Sequence, residues 1–179
     1  MARMDEQEQD LELKHAEGRI NDDKVSQYVE IRAKFDALYK AFRPIKCPAL
    51  KNKEVHFTAE GFNHLVYRIP KQERDKRVQI MRFELLEKAY ELLAKTTFIQ
   101  EYEEYYDQKK VWMNKESKRV NVIVRDTGFI GIVRGYRIKV VVRKIGEGKF
   151  EFYSVIPAWS TRYYRDIKIV RNTKGNVAD

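Results

Sequence analysis

The run from Gly135 to Pro157 reads as two antiparallel strands about a Gly146-Glu147-Gly148 turn, and no other stretch constrains the fold as tightly. Side chains along a strand alternate between two faces. Tyr136, Ile138, Val140, Val142, Phe150, Phe152 and Ile156 fall on one face, and Ser154 shares that side. Arg137, Lys139, Arg143 and Tyr153 fall on the other, with Val141, Glu151 and Val155. A short glycine-bearing loop is a common hairpin connection and keeps the apolar sets together, whereas a slip of one residue would mix them. The pattern predicts a sheet with one apolar face and one face that presents cations beside a tyrosine.

The rest of the chain supplies helices for the apolar face. Asn21-Asp-Asp is a helix cap with an acidic first turn. Behind it Val25, Tyr28, Val29, Arg32, Phe35, Leu38, Tyr39 and Phe42 recur at helical spacing, which predicts a helix over 22–42. Its stripe must pack on its own domain, on a second copy or on another protein. Pro44 and Pro48 then interrupt the pattern. Glu54 to Phe57 reads as a short strand, with Thr58 capping a brief helix through Leu65. A second long helix is predicted over 75–95, with Val78, Met81, Leu85, Ala89, Leu92 and Leu93 as its stripe. Residues 98–107 fit neither period. Strands follow over 119–125 and 129–133, punctuated by Thr127-Gly128 and Gly131, and Ile167 to Val170 could add an edge strand.

Helices followed by an antiparallel sheet make an α+β fold, with helices on one face and a basic face left open. The expected division is an N-terminal helical arm over 1–50, with 1–20 a candidate for disorder. An α+β domain over 51–170 and a disordered tail over 171–179 follow.

Charge is distributed unevenly. The net is +9, but residues 1–24 carry −4 and residues 108–179 carry +11. A basic third favours a polyanionic partner, nucleic acid first. The acidic segment could fold over the basic region and mask it. The single cysteine, Cys47, excludes an internal disulfide and leaves no thiol set for structural zinc, which points to a reducing compartment. No apolar stretch is long enough to span a bilayer and the start is polar and acidic, so the expected place is the cytoplasm, without a membrane partner.

The chain lacks a P-loop, a dinucleotide-binding glycine fingerprint, a His-Glu-x-x-His pair, a Cys-x-x-Cys and a nucleophile-elbow serine. No metal and no cofactor is expected. What remains is phosphodiester chemistry in which RNA supplies its own nucleophile, the 2′-hydroxyl. Such an enzyme needs a base, an acid and cations for the charge that builds on the phosphorane. His56 and His64 titrate in the useful range, arginine binds phosphate oxygens in pairs, and tyrosine stacks on bases or donates a hydrogen bond. Each residue also has a plainer reading. His56 suits a solvent-facing strand position, His64 a backbone-bonded helix position, and Arg137, Lys139 and Arg143 a solvated sheet face. Trp159, Arg162, Tyr163, Tyr164 and Arg165 form either a stacking tail or an aromatic lid.

From His56 onward the order of elements resembles the barnase/EndoU/colicin/RelE-like nuclease superfamily, in particular its phage and mobile-element branch. The resemblance rests on the histidine-bearing start Val55-His-Phe-Thr-Ala-Glu-Gly-Phe-Asn-His64, the long helix, Arg137-Ile-Lys-Val-Val-Val-Arg143, and Lys149-Phe-Glu-Phe-Tyr-Ser-Val-Ile-Pro157. It covers roughly residues 54–165. It implies RNA cleavage without metal, with roles for His56 or His64, for Arg143, and for Tyr153 or Ser154. A toxin-like role would follow from it as well, although the N-terminal helices lie outside its pattern. The resulting expectation is an endoribonuclease that acts on single-stranded or ribosome-bound RNA. His64 or His56 would be its acid or base, Arg143 and Lys139 its clamps, and Arg134, Arg137, Tyr153, Trp159, Arg162 and Tyr163 its RNA contacts. The alternatives are a non-catalytic nucleic-acid-binding module, or an interaction protein that meets a partner or inhibitor through the helix at 22–42.

Overall fold

The structure is a computed structural model that describes residues 6–69, 71–113, 116–157 and 168–169. It opens with three helices, α1 (Glu6–Glu17), α2 (Asp22–Ser26) and α3 (Tyr28–Ala41). Asn21 caps α2 by accepting from the Lys24 N–H at 3.0 Å. Strand β1 (Ile45–Cys47), one 3-10 turn (Pro48–Leu50) and β2 (Lys53–His56) follow, then α4 (Ala59–Val66) and a small hairpin of β3 (Tyr67–Ile69) and β4 (Gln72–Glu73). Helices α5 (Lys76–Phe83) and α6 (Leu86–Lys95) lead into the long strands β5 (Glu101–Met113) and β6 (Glu116–Val133). Strands β7 (Tyr136–Ile145), β8 (Phe150–Pro157) and β9 (Lys168–Ile169) are the last elements among the described residues.

The main sheet runs β1-β2-β8-β7-β6-β5-β9. Strand β2 joins β8 in parallel, and the other pairings are antiparallel. The α+β class is as the sequence predicts, and so are the hairpin at 136–157 and the edge strand at 168–169. One face of β7 and β8 is the core: Ile138, Val140, Val142, Phe152 and Val155 pack with Phe62, Leu65, Phe83, Leu86 and Leu93. Helix α4 lies so close to β8 that a β-carbon on Gly61 would collide with the Phe152 carbonyl and the Tyr39 hydroxyl. Only glycine lets these two elements meet.

The proposed division near residue 50 does not follow the packing. Ala16, Ile20, Tyr28 and Tyr39 belong to the same buried core as the sheet. The α3 stripe is used up inside this domain: Phe35 stacks on Phe83 at 5.9 Å, Phe42 on Tyr90 at 4.7 Å, and Tyr39 touches Phe62 at 5.4 Å. Val29, counted in that stripe, is 77% exposed. The predicted helix over 22–42 breaks at Gln27 (φ −92°, ψ 13°), and the one over 75–95 breaks at Glu84 and Leu85. The stretch over 98–107 is strand from Glu101 onward, and the two short strands predicted over 119–133 are one continuous strand of 18 residues.

The acidic N-terminal segment meets helix α5 rather than the basic region. Glu12 pairs with Arg82 at 2.6 Å, Asp22 pairs with Arg77, and Lys24 reaches Glu84 at 2.5 Å. The expected masking of the +11 region is therefore not what these acids do.

One register detail matters most for function. A bulge in β8 inserts an extra residue opposite the step from Val141 to Val142. Val142 pairs with Phe152, yet Val141 pairs with Ser154, so Tyr153 is the unpaired residue. The bulge reverses the facing of everything beyond it. Val155 turns into the core opposite Val140, whereas Ser154 and Ile156 turn to the polar side opposite Val141 and Lys139. Strict alternation assigns these three residues the other way.

Candidate functional site

Opposite the core, one rung of the sheet carries a charged or titratable residue on five successive strands. His56 of β2 pairs with Glu151 of β8, Glu151 with Arg143 of β7, Arg143 with Asp126 of β6, and Asp126 with Glu103 of β5. Register partners share a face, so all five project to the same side. At its centre Asp126 grips Arg143 in a bidentate pair, from Nε to Oδ1 and from Nη2 to Oδ2, both at 2.7 Å. Nη2 also donates to the Tyr105 hydroxyl at 2.9 Å, and that hydroxyl donates to Asp126 at 3.3 Å. Burial opposes the charge on Arg143, but Asp126 outweighs it and holds the guanidinium pKa above its ordinary value. Arg143 is only 6% exposed.

The bulge brings Tyr153 onto this rung. Its ring lies 3.4 Å from the Arg143 guanidinium carbon, an arginine–aromatic contact. On its other side stands His64 of α4, with ring centroids 3.9 Å apart and planes at 52°. His64 keeps 23% of its side chain open. Burial first, and then the positive charges of Arg143, Arg74, Arg82 and Lys109, push its pKa down to about 4. The imidazole is therefore neutral at physiological pH. Burial raises the pKa of Tyr153 and Tyr105, so both phenols keep their protons. Nearby, burial and then the Glu60 carboxylate raise the Glu151 pKa, while His56 and Lys149 oppose the shift.

Behind Tyr153, Ser154 accepts a hydrogen bond from Arg82 Nη1 at 3.1 Å. Arg82 is itself buried against Glu12, donating from Nε at 2.7 Å. Arg74 lies 3.8 Å from Glu12 and donates to the His64 carbonyl at 3.3 Å. Helix α1 thus fixes the cation behind the site.

Of the residues singled out in the sequence, the fold sets Tyr153 in contact with both His64 and Arg143, with Ser154 beside them. His56 stands at the end of the same rung, 3.8 Å from the Glu54 carboxylate. It lies two strands from Arg143, roughly 10 Å by ordinary strand spacing. Lys139 does not join them. It is 0% exposed and paired with Glu101, so it offers no clamp for a phosphate. Nor is Arg134 at the site: it occupies the β6–β7 turn at φ 50° and bonds Glu91 of α6 at 3.0 Å. Arg137 is exposed at the far end of β7. Trp159, Arg162 and Tyr163 lie outside the described residues. The open basic face of the sequence reading is therefore, at Lys139 and Arg143, a face of buried ion pairs.

Asp126, Tyr105 and Arg82 belong to the cluster and are not singled out in the sequence, and Glu151 falls on this face there without a role. Asp126 had a signal, since aspartate is disfavoured within a strand and stays there when a cross-strand cation holds it. Arg82 had one too, as a lone cation inside the apolar run Val78 to Phe83. Compared with known protein families, with characterised proteins and with solved structures, the chain matches none.

Proposed function

We propose that the protein is an endoribonuclease that cleaves RNA through attack of the 2′-hydroxyl on the adjacent phosphorus. The observation that carries this reading is a protonated phenol, Tyr153, that touches both a neutral imidazole at His64 and a charged guanidinium at Arg143. His64 takes the 2′-hydroxyl proton as the 2′-oxygen–phosphorus bond forms. Tyr153 gives its proton to the departing 5′-oxygen as the phosphorus–oxygen bond breaks, and the imidazolium returns a proton to the phenolate through water. Arg143 faces the charge on the phosphorane, with Asp126 as its positioning residue. The products are a 2′,3′-cyclic phosphate and a free 5′-hydroxyl.

A non-catalytic RNA-binding module is the second reading. It is favoured by the bidentate hold of Asp126, which neutralises much of the Arg143 charge. Incubating the full chain with RNA and with DNA of matched sequence, in chelator, separates the two. The cleavage reading expects cyclic-phosphate ends from RNA only and a loss of about 10²- to 10⁴-fold in His64→Ala. RNA that is bound but left intact by the unaltered chain leaves the binding reading standing.

A further inference from the structure

We propose that the free end of the β5–β6 ribbon grips single-stranded RNA, through a surface on the opposite side of the sheet from the His64 cluster. Strands β5 and β6 continue to pair from Tyr106↔Ile123 out to Met113↔Glu116, whereas β7 begins pairing with β6 at Val124 and, among the described residues, β9 meets β5 at Glu101 and Tyr102. Among the described residues the ribbon therefore continues beyond its neighbours with no strand on either flank, for about 25 Å at ordinary strand rise. A two-stranded ribbon alone is marginal in water. This one is weakened further, because Lys110 stands directly opposite Arg119 and like charges on one rung repel. Among the described residues neither cation has a carboxylate partner; the acid nearby, Asp107, pairs with Lys109 at 3.9 Å on the other face.

The face that bears this repulsive rung also bears Tyr106, 79% exposed, and the exposed rung Gln108↔Asn121. An exposed ring, two amides and two unneutralised cations along one strip match the needs of a single strand. Bases stack on the aromatic and phosphates meet the cations, whatever the sequence. A bound phosphate backbone would relieve the Lys110–Arg119 repulsion that the ribbon otherwise carries. The inference asks only for binding and stands whether or not the cluster cleaves.

The test uses the full chain and a short 2′-O-methyl RNA strand, which lacks the nucleophile and survives any such cleavage. Tyr106→Ala with Lys110→Gln and Arg119→Gln should weaken binding at least about tenfold. It should also flatten the dependence of log Kd on log salt by about 1.4, the share of two phosphate contacts on a single strand. An equal loss of charge at the exposed Lys53 and Lys71 should change neither quantity. Lys110→Glu alone converts the repulsive rung to an attractive one, so it should raise the melting temperature while weakening RNA. Unchanged affinity in the ribbon variants, an equal loss in the control, or tighter binding to duplex DNA than to the single strand would each overturn the proposal.

Discussion

The two faces of β7 are buried to the same degree and built from opposite materials. Ile138, Val140 and Val142 are 0% exposed in an apolar core, and on the reverse of the same strand Lys139 and Arg143 are 0% and 6% exposed against carboxylates. Burying an aliphatic side chain contributes about 1.5–3 kcal/mol and asks little of its neighbours' orientation. Burying an ion costs several kcal/mol unless a partner meets it in good geometry. The first face would hold the sheet together without the second. What the second face adds is fixed direction, and the residue so fixed, Arg143, is the one in contact with Tyr153 and one ring away from His64.

Removing one member of the sealed pair is the harshest way to test this contrast. Lys139→Met leaves Glu101 buried without its cation and should cost about 3–5 kcal/mol in urea unfolding. Lys139→Met with Glu101→Leu should recover most of that loss, since an apolar pair of similar volume is often as stable as the ionic one. A single variant as stable as the parent would mean that the pair does not govern this face. Gly128→Ala should act on the same pair more gently. A β-carbon there would lie 2.9 Å from Glu101 Cβ and 3.0 Å from its Oε2, so the glutamate must shift away from Lys139. The expected cost is about 1–3 kcal/mol, read from the same unfolding curves. It should shrink in a Glu101→Ala background, where the carboxylate at 3.0 Å is gone but the β-carbon at 2.9 Å remains.

The same contrast explains what the sequence discloses. Apolar alternation in the 136–157 hairpin is local, and it correctly yields the two strands, the turn and the core positions Ile138, Val140, Val142 and Phe152, whereas Tyr136 of the same set is 42% exposed. The ionic face is not local. Asp126 and Glu101 become partners of Arg143 and Lys139 only through the registers of β6 and β5, and no period in the sequence joins them. Gly128 misleads for a related reason: it reads as a strand breaker, yet it lies inside β6 where Glu101 and Lys139 need room. The bulge at Tyr153 is equally hidden, because one unpaired residue leaves a plausible alternation on either side. Of the candidate site, His64, Arg143 and Tyr153 were readable as residue types. That His64 rather than His56 touches the phenol depends on α4 closing onto β8 through Gly61, a packing event no motif announces.

The last test concerns the boundary between the ionic face and solvent, where His64 stands. Its pKa is about 4 in the folded chain and about 6.5 when unfolded. Between those values the unfolded chain binds a proton that the folded chain refuses, so stability is whole above about pH 6.5 and falls as the pH drops towards 4. Below that the contribution is flat, because both states are protonated. Subtracting the stability–pH curve of His64→Gln from that of the parent removes the shared carboxylate titrations and should expose this one segment. The charges that set it are Arg143, Arg74, Arg82 and Lys109 against Glu60, so Lys109→Gln, the most accessible change, should move the segment upward in pH. A difference curve that is level from pH 6.5 to 4 would mean that the imidazole is as open to water as a surface histidine. The neutral base beside Tyr153 would then have no physical cause.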